Sequence, residues 1–196
     1  MAIDFMVLPI SRYIVGDFIT PAMRSAWESG VPYSIIGPEG SRQLPEGLPF
    51  GGPEAPVRRA SVIGMLVEDL RQLPGAVPNS LWDERSDAEP RFHRVDPASY
   101  EALVEAARKP IKSFLGFRKR GEGERIHVAA TLFLPCDFEE AFEMATPLRR
   151  LTGSTFRALE ALERRDWPDT AKAAADSLRA ALVDSREHKV PMIVDW

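Results

Sequence analysis

The side chains best able to do chemistry in this sequence are three histidines, His93, His127 and His188, and one cysteine, Cys136. No two histidines stand four residues apart, and neither His-Glu-x-x-His nor Cys-x-x-Cys occurs, so no local metal-binding motif is present. A metal site would have to be assembled from histidines and carboxylates distant in sequence, and neither a metal nor a cofactor is expected. Cys136 follows the uncharged run 126–135 and precedes a predicted helix start. Such a junction can lower a thiol pKa and host a nucleophile. His127 lies nine residues earlier, and along an extended strand at about 3.3 Å per residue the two could not pair directly. The thiol is therefore read as a small buried hydrophobe. No Gly-x-Ser-x-Gly elbow, phosphate-binding Gly-Lys-Ser/Thr loop or dinucleotide fingerprint occurs. The glycines between residues 47 and 53 alternate with prolines, which remove the N–H donors an anion would need, so this is a rigid covering loop.

The most pronounced polar feature is the acidic stretch Asp83, Glu84, Asp87 and Glu89, flanked by Trp82 and Phe92. Carboxylates beside aromatics suit the recognition of a basic protein surface, because opposite charge steers encounter and buried rings anchor the contact. These six residues are the predicted partner-binding set, weighed against a solvated loop with an anchoring Trp. His93, between Arg91 and Arg94, is a candidate pH-sensitive group read more simply as a surface histidine. The run Arg118, Lys119 and Arg120 is followed by Glu122 and Glu124 and reads as a solvated turn.

The elements that must position these residues follow from hydrophobic period and punctuation. The run 126–135 reads as a central strand covered on both faces, followed by a helix capped by Asp137 with Glu140 three residues on. Residues 3–10 and 32–36 read as strands. Thr20-Pro21 and Asp96-Pro97 each combine a cap with Pro at the first helical position. Gly30 is a C′ residue for the first of these helices. Residues 57–73 carry a helical stripe of Ile63, Leu66, Val67, Leu70 and Leu73, with Gly64 marking a close approach. Thr146-Pro147 starts or kinks a helix, Gly153 is a break, residues 171–183 form an Ala-rich amphipathic helix, and residues 190–196 form a strand. Few strands, and helices concentrated in the C-terminal half, predict an α+β fold in one domain, 1–196, with a small mixed or antiparallel sheet packed on several helices.

Bulk properties narrow the function. The chain has 196 residues, 44% hydrophobic and 28% charged, with a formal charge of −4. That balance disfavours nucleic-acid binding, which calls for a basic face. One cysteine permits no internal disulfide, Asp4 interrupts a short apolar N-terminal run that lacks basic residues, and no uncharged run approaches the ~20 residues of a membrane helix. A cytoplasmic protein without membrane contact is expected. In general character, a small, mildly acidic chain without a catalytic signature resembles bacterial immunity-type proteins, which neutralise a toxin by occupying its surface. The expected partner is thus another protein, such as a toxin with a basic surface. The alternative reading is a thiol- or carboxylate-based hydrolase with a site assembled from distant residues. A third is a homo-oligomer joined through the helix at 171–183.

Overall fold

The computed structural model describes residues 2–37, 40–70, 82–109 and 126–196. The fold is α+β. The chain divides into two compact units, one of Met1–Pro9 with Val67–Trp196, the other of Ile10–Leu66.

The larger unit is built on a six-stranded sheet. Its strands are β1 (Ile3–Val7), β4 (Arg91–Val95), β5 (Leu132–Leu134), β6 (Phe142–Met144), β7 (Arg150–Ser154) and β8 (Met192–Asp195). Their order across the sheet is β4-β1-β8-β5-β7-β6. β5 and β7 run parallel and the other neighbours antiparallel, so the sheet is mixed. The C-terminal strand is thus an interior strand, paired to β1 (Phe5 opposite Val194) and to β5 (Phe133 opposite Met192). The apolar run Met192, Ile193 and Val194 meets that demand, since an interior strand is covered on both sides.

Among the described residues, three helices lie wholly within this unit: α4 (Pro97–Arg108), α5 (Thr155–Glu163) and α6 (Asp169–His188). Side-chain caps form on two of them, the predicted one at Asp96 and an unpredicted one at Ser154. Asp96 accepts the Ser99 N–H at 3.0 Å to start α4, and Ser154 accepts the Arg157 N–H at 3.2 Å to start α5. α6 ends on Lys189 in the left-handed region (φ 52°). Its stripe Ala171, Ala174, Ala175, Leu178, Ala181 and Leu182 is buried in one core with Leu103 and Ala107 of α4 and with Phe5 and Val194 of the sheet. Small side chains let α6 lie close to α4, where the Ala174 N–H reaches Ser99 Oγ at 3.1 Å. The helix face expected to join two copies is therefore used inside the chain.

The predicted centre is right about burial except at the exposed Ile126, and right about strand only over Leu132–Leu134. Residues 126–128 form a helical turn, with the Ala129 N–H on Ile126 O and the Ala130 N–H on His127 O, and only Leu132–Leu134 is strand. An apolar run says that a segment is buried but does not distinguish a turn of helix from a strand. No helix follows Asp137. Phe142–Met144 is strand, so Glu140 completes no capping box, and Asp137 instead ion-pairs with Arg157. Thr146-Pro147 is a cis peptide in the connection to β7, not a helix start. Gly153 lies within β7, where a Cβ would stand 2.8 Å from Ala130 Cβ and 2.9 Å from His127 O. The glycine serves close packing rather than a break.

The smaller unit holds α1 (Ile10–Val15), α2 (Pro21–Glu28), the hairpin β2 (Tyr33–Gly37) and β3 (Gly40–Leu44), and most of α3 (Ala55–Leu70). Thr20 caps α2, accepting the Met23 N–H at 3.2 Å, and Gly30 follows its C-cap with φ +68°. The Gly- and Pro-rich segment after β3 is packed backbone to backbone. The Gly51 N–H donates to Gly16 O at 2.8 Å, and a Cβ on Gly51 would lie 1.9 Å from Val15 O. Phe50 stacks on Phe18 with centroids 5.6 Å apart, which pins the segment. Among the described residues nothing lies within 4 Å of where a Cβ on Gly64 would stand, so none of them makes the close approach expected there. Leu73, Pro74-Gly75, residues 77–81 and the basic run at 118–120 lie outside the described residues.

Candidate functional site

The predicted acidic loop is folded on itself. Trp82 is buried, and its indole N–H donates to Glu84 Oε1 at 2.8 Å. Glu84 is itself buried, 6% exposed, so two of the six residues singled out for partner contact hold the loop rather than face a partner. Asp83 organises the next turn: its Oδ1 accepts the Arg85 N–H at 2.8 Å and its carbonyl the Ser86 N–H at 3.0 Å, an Asx-type arrangement. Ser86 Oγ then accepts the Ala88 N–H at 3.3 Å. With the backbone so fixed, the side chains of Asp83, Asp87 and Glu89 are exposed. The loop runs directly into edge strand β4, where Phe92 is half-buried.

β4 has no apolar alternation, which hid it from sequence reasoning. Arg-Phe-His-Arg-Val is the charged composition of a protected sheet edge. Its register places Arg91 opposite Val7 and His93 opposite Phe5, on the face carrying the helix-packed core, with Phe92 and Arg94 on the other. Arg94 accordingly pairs with Asp4 through two bonds of 2.9 and 3.0 Å. His93 Nε2 meets Asp184 Oδ2 of α6 at 2.8 Å, and Arg91 Nε stands 4.0 Å from the same oxygen. One turn further along α6, donor atoms of Glu187 and His188 lie with one from Asp184 inside a span of 4.8 Å. Histidines 93 and 188, scattered in sequence, thus come to one end of α6.

His127 and the Cys136 backbone are both held through Ser154, and neither side chain is set up for nucleophilic chemistry. The Ser154 N–H donates to His127 Nδ1 at 2.8 Å, so that nitrogen is the acceptor and Nε2 carries the proton, donated to Glu139 O at 3.0 Å. The imidazole is neutral and both nitrogens are engaged, which leaves no lone pair to act as a base. Ser154 Oγ donates to Cys136 O at 2.7 Å while accepting the α5 N-cap bond, so the hydroxyl is committed as well. Burial pushes the Cys136 thiol up to about 12, with the Asp137 charge adding to the effect. At neutral pH it holds almost no thiolate, and the reading of Cys136 as a buried hydrophobe stands. His127 and Ser154 are 27 residues apart, with no local motif to announce their pairing.

In the smaller unit, Trp27, Val31, Pro32, Leu44 and Pro45 line an open groove of about 330 Å³, and the Trp27 indole N–H reaches Leu44 O at 3.4 Å. Ile36 on the adjoining hairpin is 86% exposed. Among the described residues, no helix is long and apolar enough to cross a membrane. No protein-family model gives a significant match to the chain, and neither does any curated protein or solved structure.

Proposed function

We propose that the chain is a cytoplasmic protein-binding protein, most concretely an immunity-type protein that neutralises a toxin by covering a basic part of its surface. The observation that carries the reading is the Trp82–Glu84 hydrogen bond beneath an outward-facing set of carboxylates. A loop held by a buried indole, an Asx turn and an edge strand presents Asp83, Asp87 and Glu89 in one arrangement. Little conformational entropy is then lost when a partner binds. Charges in such a rim steer encounter and make association depend on salt.

The test is a pull-down from the native cell with the tagged chain and with the triple variant Asp83→Ala/Asp87→Ala/Glu89→Ala, each at low and at high ionic strength. Glu84 is left intact because it supports the loop. The reading expects a stoichiometric protein partner that is lost from the triple variant and reduced at high salt. Equal capture by both proteins would remove the loop from the interface.

A further inference from the structure

We propose that the C-terminal end of α6 and the edge strand β4 form a binding site for a divalent transition-metal cation of the zinc class, with Asp184, Glu187 and His188 as ligands and His93 holding the Asp184 carboxylate in place.

The spacing comes first. Residues i, i+3 and i+4 share one side of a helix, and the donor atoms of these three side chains lie within 4.8 Å of one another. Ligands on a tetrahedral ion, each about 2.0–2.1 Å from the metal, stand roughly 3.4 Å from one another, so the side chains must close by up to about 1.4 Å. Glu187 and His188 are exposed and can turn to do so.

The donor set is the second point. Two carboxylates neutralise a dication, and an imidazole nitrogen favours zinc over magnesium or calcium, which prefer oxygen alone. Oriented carbonyls at a helix C-terminus add a further attraction for a cation.

The third point comes from another part of the fold. His93, 91 residues away and on the sheet, bonds Asp184 through Oδ2 at 2.8 Å. No hydrogen bond or ion pair among the described residues engages the Asp184 Oδ1, the Glu187 carboxylate or the His188 ring. A ligating carboxylate that also accepts a hydrogen bond is the usual supporting arrangement around protein-bound metals. Arg91, with Nε 4.0 Å from Asp184 Oδ2, and the nearby Arg186 and Lys189 oppose a cation and hold the affinity down.

The experiment is calorimetric titration of zinc into the purified chain with any affinity tag removed. It is repeated for His188→Ala, Asp184→Asn and His93→Ala, with magnesium as the comparison ion and circular dichroism as the check on folding. Cobalt binding, followed by its visible absorption, reports coordination geometry independently. The site predicts one zinc per chain, binding abolished in His188→Ala and Asp184→Asn, and an affinity about 10–100-fold weaker in His93→Ala. Because residue 188 is at the surface, His188→Ala leaves the fold intact. No zinc uptake by the wild-type chain, undiminished uptake by folded His188→Ala, or magnesium binding as tight as zinc would each overturn the proposal.

Discussion

His93 Nε2 and Asp184 Oδ2 stand 2.8 Å apart, a bond across 91 residues that ties the sheet's edge strand β4 to the end of α6. Both side chains are about three-quarters buried, so the bond is partly shielded from solvent. In a double-mutant cycle of His93→Ala and Asp184→Ala, urea denaturation should give a coupling of about 1 kcal/mol. Simple additivity of the two losses would mean that the strand and the helix end are held independently.

The buried hydroxyl and thiol set a pH dependence. Burial raises Tyr100 from an ordinary 10.0, and Cys136 from 9.0, each to about 12. In the unfolded chain both groups lose their protons first, so above about pH 9 the unfolded state binds fewer protons than the native one. The stability these groups provide is whole below their unfolded values and is lost as pH rises through their native ones. Denaturation midpoints should therefore fall steadily from pH 9 upward. At pH 7.5 an alkylating reagent should modify Cys136 only as fast as the protein opens. Prompt alkylation of the folded chain would contradict the assignment.

Two glycines should respond in opposite directions. Gly153→Ala puts a methyl 2.8 Å from Ala130 Cβ and 2.9 Å from a backbone carbonyl, and should cost about 1–3 kcal/mol of stability. Gly64→Ala, on an exposed helix position with no described residue within 4 Å of the added methyl, should raise stability by up to about 1 kcal/mol. Thermal melts of the two variants decide both.

Those glycines also show what the sequence could and could not tell. Thr20, Asp96 and Gly30 announced their helix ends because capping is local chemistry, complete within four residues. The Ala-rich stripe of α6 and the C-terminal strand were legible for the same reason: their periods lie within the element. Most of the run 126–135 was recognised as buried, but its turn at 126–128 packs, through His127, against Gly153 and Ser154 of another strand. β4 escaped because an edge strand is charged by design, and its alternation is visible only once Phe5 stands opposite His93. In the acidic loop the sequence marked Trp82 and four carboxylates but not which way each one turns. Which carboxylate turns inward depends on the position of the Trp82 indole, and that is why Glu84 was grouped with the surface charges.

The protein-binding proposal turns on the three outward carboxylates of the Trp82 loop. Once a partner has been captured and purified, its affinity for the wild-type chain and for Asp83→Ala/Asp87→Ala/Glu89→Ala should be measured across a range of ionic strength. Binding should be about tenfold or more weaker for the triple variant at low salt, with a flatter dependence on salt. Identical affinities and identical salt slopes for the two proteins would contradict it.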